Sequence, residues 1–135
     1  MNVILVGTND ALLEGLAQSF ATGGLTPHVV GTLYEACEVA AEAAPIIVVI
    51  ERGIAAKSGG DALSIQLAPG GSLVLYADGA DEDVATPAIL QRSILAELTV
   101  PLERNRLMAL ATHVCERAAT TGRIAPVSPR PEARP

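Results

Sequence analysis

The run Ile46-Ile47-Val48-Val49-Ile50 constrains the fold of this chain more than any other feature. Every residue in it is β-branched, Pro45 opens it and Glu51 ends it. An apolar stretch this short, with no polar alternation, does not suit a strand with one wet face. It reads as a strand covered on both faces, as in the middle of a parallel sheet flanked by helices. The opening run from Asn2 to Gly7 has the same character and stops at Thr8-Asn9-Asp10, where the side chains suit the start of a helix.

Between and after these runs the periodicity changes. Leu13, Leu16, Ala17 and Phe20 recur at helical spacing, and Gly23-Gly24 ends that helix. Pro27 to Val30 reads as a second strand, and Thr32-Leu33-Tyr34-Glu35 as a capping box for a helix running to about Ala44. The stretch from Gly53 to Gly60 is rich in glycine and alanine without a clear period. A third helix is therefore expected only from about Gly60-Asp61, short, and ending before Pro69-Gly70-Gly71. Ser72 to Tyr76 supplies a fourth strand, and the acidic segment Asp78 to Asp83 a solvated loop. Thr86-Pro87 has the N-cap and first-turn chemistry of a fourth helix, and a fifth strand is expected within Ile94 to Val100. In the last helix Leu107, Leu110, Ala111, Val114 and Ala118 form one apolar stripe, with Arg104, Arg106 and Arg117 toward water.

Strand-helix units in strict alternation predict an α/β fold, a doubly wound (βα)5 architecture with a five-stranded parallel sheet and right-handed crossovers. The 135 residues suit one core, and an apolar share of 50% with only 2% aromatics means branched aliphatics fill it. From Ala125 onward proline, serine and arginine replace core residues. The expected organisation is a domain over 1–121 and a Pro/Arg-rich tail or linker over 122–135. A net charge of -6 argues against a nucleic-acid surface, which needs clustered Lys and Arg. Cys37 and Cys115 lack metal-ligand spacing and read as reduced core residues. No basic segment followed by an apolar one opens the chain, and no apolar run approaches the roughly 20 residues that span a bilayer. The expectation is a cytoplasmic protein with no membrane contact.

Sites in doubly wound sheets lie beyond the carboxyl ends of the central strands, which here are Gly7-Thr8, Glu51, Tyr76 and Val100. At those ends the chain resembles the response-regulator receiver family, over residues 2 to 119. VILVGTNDALLEGL resembles the family's first strand and its turn into a helix, PIIVVIERG the strand that delivers the phospho-acceptor, and VPLERNRLMAL the Lys-Pro segment before the last helix. The resemblance implies a flavodoxin-like receiver fold and a place in bacterial signal transduction. The family's pocket has an acidic pair after strand 1, an Asp after strand 3, a Thr or Ser after strand 4 and a Lys after strand 5. The carboxylates hold Mg2+, the Asp attacks phosphorus, and the Lys and hydroxyl balance the product's charge. In this chain those places fall on Gly7 and Thr8, on Glu51, on Tyr76 and on Val100. Every one departs from the pattern. Glu97 falls where the family carries an aromatic switch residue, and Pro101 is retained, making Val100-Pro101 a candidate cis peptide by resemblance.

The resemblance therefore implies a degenerate pseudo-receiver with no catalytic residues, no metal and no cofactor. Its expected action is phosphorylation-independent contact with a protein partner, a signalling kinase, regulator or effector, with a homodimer through the face of the fourth and fifth helices. The alternative is a sensor whose uncharged cavity behind Gly7, Thr8, Tyr76 and Val100 takes an apolar small molecule. Glu51 reads either as a permanent charge at the acceptor place or as a partly exposed strand-end carboxylate; Tyr76 either gates the pocket or fills it. Asn9 and Asp10 read as helix caps, and His28 and His113 as surface or edge residues with no nucleophile near them. Gly23-Gly24, Gly59-Gly60 and Gly70-Gly71 lack the spacing of a dinucleotide-binding loop.

Overall fold

The strands that the β-branched runs predict lie side by side in one parallel sheet. The structure, a computed structural model, describes residues 1–58, 61–77, 88, 94–99 and 104–124. The elements are β1 (Asn2–Val6), α1 (Asp10–Thr22), β2 (Thr26–Val30), α2 (Leu33–Ala43), β3 (Ile47–Glu51), α3 (Arg52–Ser58), a 3-10 turn at Asp61–Ser64, β4 (Ser72–Ala77), β5 (Ile94–Thr99) and α4 (Arg104–Ile124). The five strands take the order β2-β1-β3-β4-β5, all neighbours parallel. This is the doubly wound α/β fold.

Burial explains the continuous apolar runs. Val3 to Val6 in β1 and Ile47 to Ile50 in β3 are all completely buried, because helices cover both sheet faces. On one face Val3, Leu5, Val49, Val74 and Leu98 pack against Leu13, Leu16 and Phe20 of α1 and Leu107, Ala111 and Val114 of α4. On the other, Ile4, Val6, Val48, Ile50 and Leu75 meet Leu33, Ala36 and Ala40 of α2, Ala55 of α3, and Ala62 and Ile65. Alternate residues of each strand thus serve opposite cores. The α4 stripe of Leu107, Ala111 and Val114 is buried, whereas Arg104, Arg106 and Arg117 are exposed.

The local signals act as their chemistry requires. Asn9 caps α1, its Oδ1 accepting from the Leu12 amide at 3.1 Å. Thr32 caps α2, its Oγ1 accepting from the Glu35 amide at 3.1 Å, while the Glu35 carboxylate reaches back to the Gly31 amide at 3.2 Å. The helix ends at Ala44, whose φ of 47° is left-handed.

The third helix departs from expectation. It begins at Arg52, directly after β3, and the segment near Asp61 is only a 3-10 turn. No capping residue announces that start, and Gly53 breaks the period. Arg52, Ala55, Ala56 and Lys57 nevertheless favour helix, and Ala55 turns fully into the core. The last helix runs to Ile124, three residues past position 121. The Asp78–Asp83 segment, the helix start at Thr86-Pro87, Val100-Pro101 and the tail from Ala125 lie outside the described residues.

β5 is irregular where it meets β4. Leu73 pairs with Ile94 but Val74 pairs with Ala96, so Leu95 is the extra residue of a bulge. The bulge shifts the pleat: Ile94 faces the α2–α3 core, while Ala96 and Leu98 face the α1–α4 core. Cys37 and Cys115 are free, half-buried and packed against opposite cores. Burial pushes the Cys115 thiol up, the N-terminal ammonium partly offsetting this. Among the described residues no helix is long and apolar enough to cross a membrane.

Candidate functional site

The carboxyl ends of the central strands form a row set by register. Val6 pairs with Ile50, which brings Gly7 beside Glu51; Glu51 pairs with Tyr76, and Tyr76 with Leu98. Four neighbouring strands therefore deliver Gly7, Glu51, Tyr76 and Leu98 to one line across the sheet. Thr8 joins them from the turn after β1. Val100 lies outside the described residues.

Glu51 is the one charged side chain in the buried class among the described residues, at 7% exposure. The partial exposure expected of this strand-end carboxylate is thereby corrected, with Thr8 of the turn after β1 lying against it. A buried carboxylate requires donors. The Thr8 hydroxyl supplies one, lying 3.3 Å from each carboxylate oxygen and donating to one of them at a time. The Gly7 amide is engaged elsewhere, donating to the Val30 carbonyl at 3.1 Å.

Tyr76 decides the shape of the site. Its side chain is completely buried and belongs to the core under α1 and α4. The phenol extends toward β1 until its hydroxyl lies against Gly7, so that a Cβ on residue 7 would collide with the Tyr76 hydroxyl and stand 3.3 Å from Cζ. The side chain of Leu13 would crowd the same atom at 3.3 Å. Glycine at position 7 and tyrosine at position 76 are thus one arrangement: the missing side chain leaves the space that the ring takes. Of the two readings of Tyr76, filling fits its place in the core.

Glu97 does not join this row. It pairs in register with Leu75 and so lies on the opposite, α3 side of the sheet, where its Oε1 is 3.4 Å from Nε of Arg52. Arg52 is the functional candidate that reading the sequence missed. The available signal was a basic residue directly after the buried strand-end Glu51. His28 touches Asn2 at 3.1 Å on the outer side of the sheet and His113 is exposed on α4, neither near the row.

Chemically, the described row offers a single buried carboxylate, a threonine hydroxyl and a phenol. A divalent cation of the kind receiver pockets hold needs several oxygen ligands, usually with more than one carboxylate. Glycine stands at one of the acidic places, and the phenol ring occupies the space next to it. These residues do not fit the ion. Nor do the described residues contain a group of three or more His, Cys, Asp or Glu side chains able to hold a metal.

No protein-family model matches the sequence, and no curated protein matches it significantly. Solved structures do match. A response regulator receiver domain protein from Clostridium thermocellum superposes with a TM-score of 0.67 at 12% identity, over 89% of this chain and 98% of that one. The signal receiver domain of a putative Luxo repressor protein from Vibrio parahaemolyticus gives 0.67 at 15% identity, over 91% and 95%. A response regulator from Desulfuromonas acetoxidans gives 0.60 at 18% identity, over 85% and 96%. The chain has the receiver fold, as its strand-end motifs led one to expect.

Proposed function

We propose that this chain is a pseudo-receiver: a signalling module with the receiver scaffold that acts by protein-protein contact, takes up no phosphoryl group and catalyses no reaction. The observation that carries the reading is Tyr76 packed against Gly7. Where a receiver pocket needs carboxylates around a solvated cation, this chain has a ring sealed in the core. Acceptance of a phosphoryl group also creates new negative charge, and no lysine is found at the described strand ends to balance it.

In this reading Glu51 is a permanent charge at the acceptor place, held by Thr8, and it keeps the domain in one signalling state. The partner is a protein of the same signalling system, a kinase, regulator or effector, and the working compartment is the cytoplasm. Self-association through a face that includes α4 is part of the proposal. An apolar ligand in the pocket is the weaker alternative, since the Tyr76 ring already occupies the ground beside Gly7.

The charge of Glu51 gives the test. With the partner captured from the source cell, Glu51→Gln keeps the shape, removes the charge and is expected to weaken binding about tenfold, the effect of roughly 1.4 kcal/mol. Glu51→Asp, which retains charge, should be milder. Melting curves of both variants separate binding from unfolding. Equal affinity of wild type and Glu51→Gln would show that the partner does not read this site.

A further inference from the structure

β5, like the other edge strand β2, is held by little apolar contact. Of its residues only Leu98 is buried, at 1% exposure, while Leu95 is 39% exposed and the rest are intermediate or exposed. It lies at the edge of the sheet, pairs with β4 alone and carries the bulge. By contrast β1 and β3 bury nearly every side chain. Opening of β5 therefore costs less than opening of the sheet as a whole, because local stability follows buried apolar contact.

On the α3 side, where an apolar residue at position 97 would extend the core past Leu75, β5 presents a carboxylate. Its partner Arg52 follows the last residue of β3 and begins α3. Because β4 separates β3 from β5, the ion pair reaches over a whole strand to tie the edge of the sheet to its centre. Arg52 Nε is shut off from solvent, yet the two side chains keep 18% and 35% exposure, the larger share belonging to Glu97. Such a pair attracts across a partly desolvated gap but remains within reach of mobile ions and of competing charges.

We infer that the Arg52–Glu97 pair is a charge latch on β5. Closed, it fixes the edge strand over β4; opened by screening, or by a basic side chain of a partner that captures the more exposed Glu97, it frees β5 while the rest of the sheet stays intact. An apolar anchor would respond to neither agent. The latch does not depend on how the row at Glu51 functions, so either idea can fail without the other.

Amide hydrogen exchange on the full chain tests it. Raising salt from about 50 to about 500 mM shortens the screening length severalfold and should speed exchange of those amides within Ala96 to Thr99 that donate to β4. The expected factor is about two to five, the range an exposed pair of up to roughly 1 kcal/mol allows. Amides of β1 and β3 should not change. Glu97→Gln should show the faster β5 exchange already at low salt and lose the salt response. The charge reversal Arg52→Glu with Glu97→Arg should restore both slow exchange and salt dependence. Salt-insensitive β5 exchange in the wild type would overturn the latch, as would an unchanged salt response in Glu97→Gln. The wild-type arm decides the matter even if a variant fails to fold.

Discussion

Tyr76→Ala is expected to lower the stability of the domain by about 3–5 kcal/mol, the cost of truncating a large buried ring. Tyr76 is the largest of the fully buried side chains and sits on β4 between β3 and β5. Strands hydrogen-bonded on both sides cannot close in on the space left behind, so the cavity term should be near the top of its range. For a domain of this size the midpoint of thermal unfolding should fall by roughly 10–20 °C. Denaturant titration provides the check: the midpoint should fall while the slope stays constant, the sign of lost stability without a change in exposed surface. A loss below about 1 kcal/mol would show that the ring is not packed as described.

Gly7→Ala is the second large effect, and its interest lies in its coupling to the first. Alanine narrows the unfolded ensemble and by itself would stabilise by about 0.4–1 kcal/mol where the backbone tolerates it. Here the added Cβ collides with the Tyr76 hydroxyl and crowds Leu13. Overpacking of this kind costs about 1–3 kcal/mol, so the net effect should be a loss. Tyr76→Phe removes the colliding atom, and in that background Gly7→Ala should cost at least about 1 kcal/mol less, a coupling expected of residues in contact. Gly7→Asp, the carboxylate that receivers use, should be worse still with Tyr76 present and better tolerated with Tyr76→Thr. Strict additivity in either cycle would mean that the two positions do not share one space.

The parts of the fold legible in the sequence are those whose cause is local or compositional. A strand covered on both faces must be apolar throughout, which is why Val3 to Val6 and Ile46 to Ile50 could be read directly. The capping residues Asn9 and Thr32 act within one turn, and they too were readable. α3 was misplaced because its start is fused to β3: Glu51 ends the strand and Arg52 begins the helix, leaving no cap to mark the boundary. The bulge at Leu95 left no local signature, since it arises from pairing with β4.

The site divides in the same way. Register placed Gly7, Glu51 and Tyr76 together, as the strand-end rule for doubly wound sheets predicts. Their mutual fit was not readable, because glycine at position 7 becomes meaningful only once the Tyr76 ring is known to lie on it. Burial of Glu51 likewise depends on neighbours that the turn after β1 and strand β4 bring from elsewhere in the chain. The Arg52–Glu97 pair was hidden for a related reason: the two residues meet across an intervening strand.

Acetyl phosphate with Mg2+, and separately beryllofluoride with Mg2+, provide the most direct test of the proposal that this pocket takes no phosphoryl group. After incubation of the wild-type chain, intact mass and the amide spectrum should both be unchanged, since the cation lacks its carboxylates and Tyr76 occupies their ground. A stoichiometric mass gain of one phosphoryl group, or amide shifts centred on Gly7, Thr8 and Glu51 with beryllofluoride, would contradict the pseudo-receiver reading.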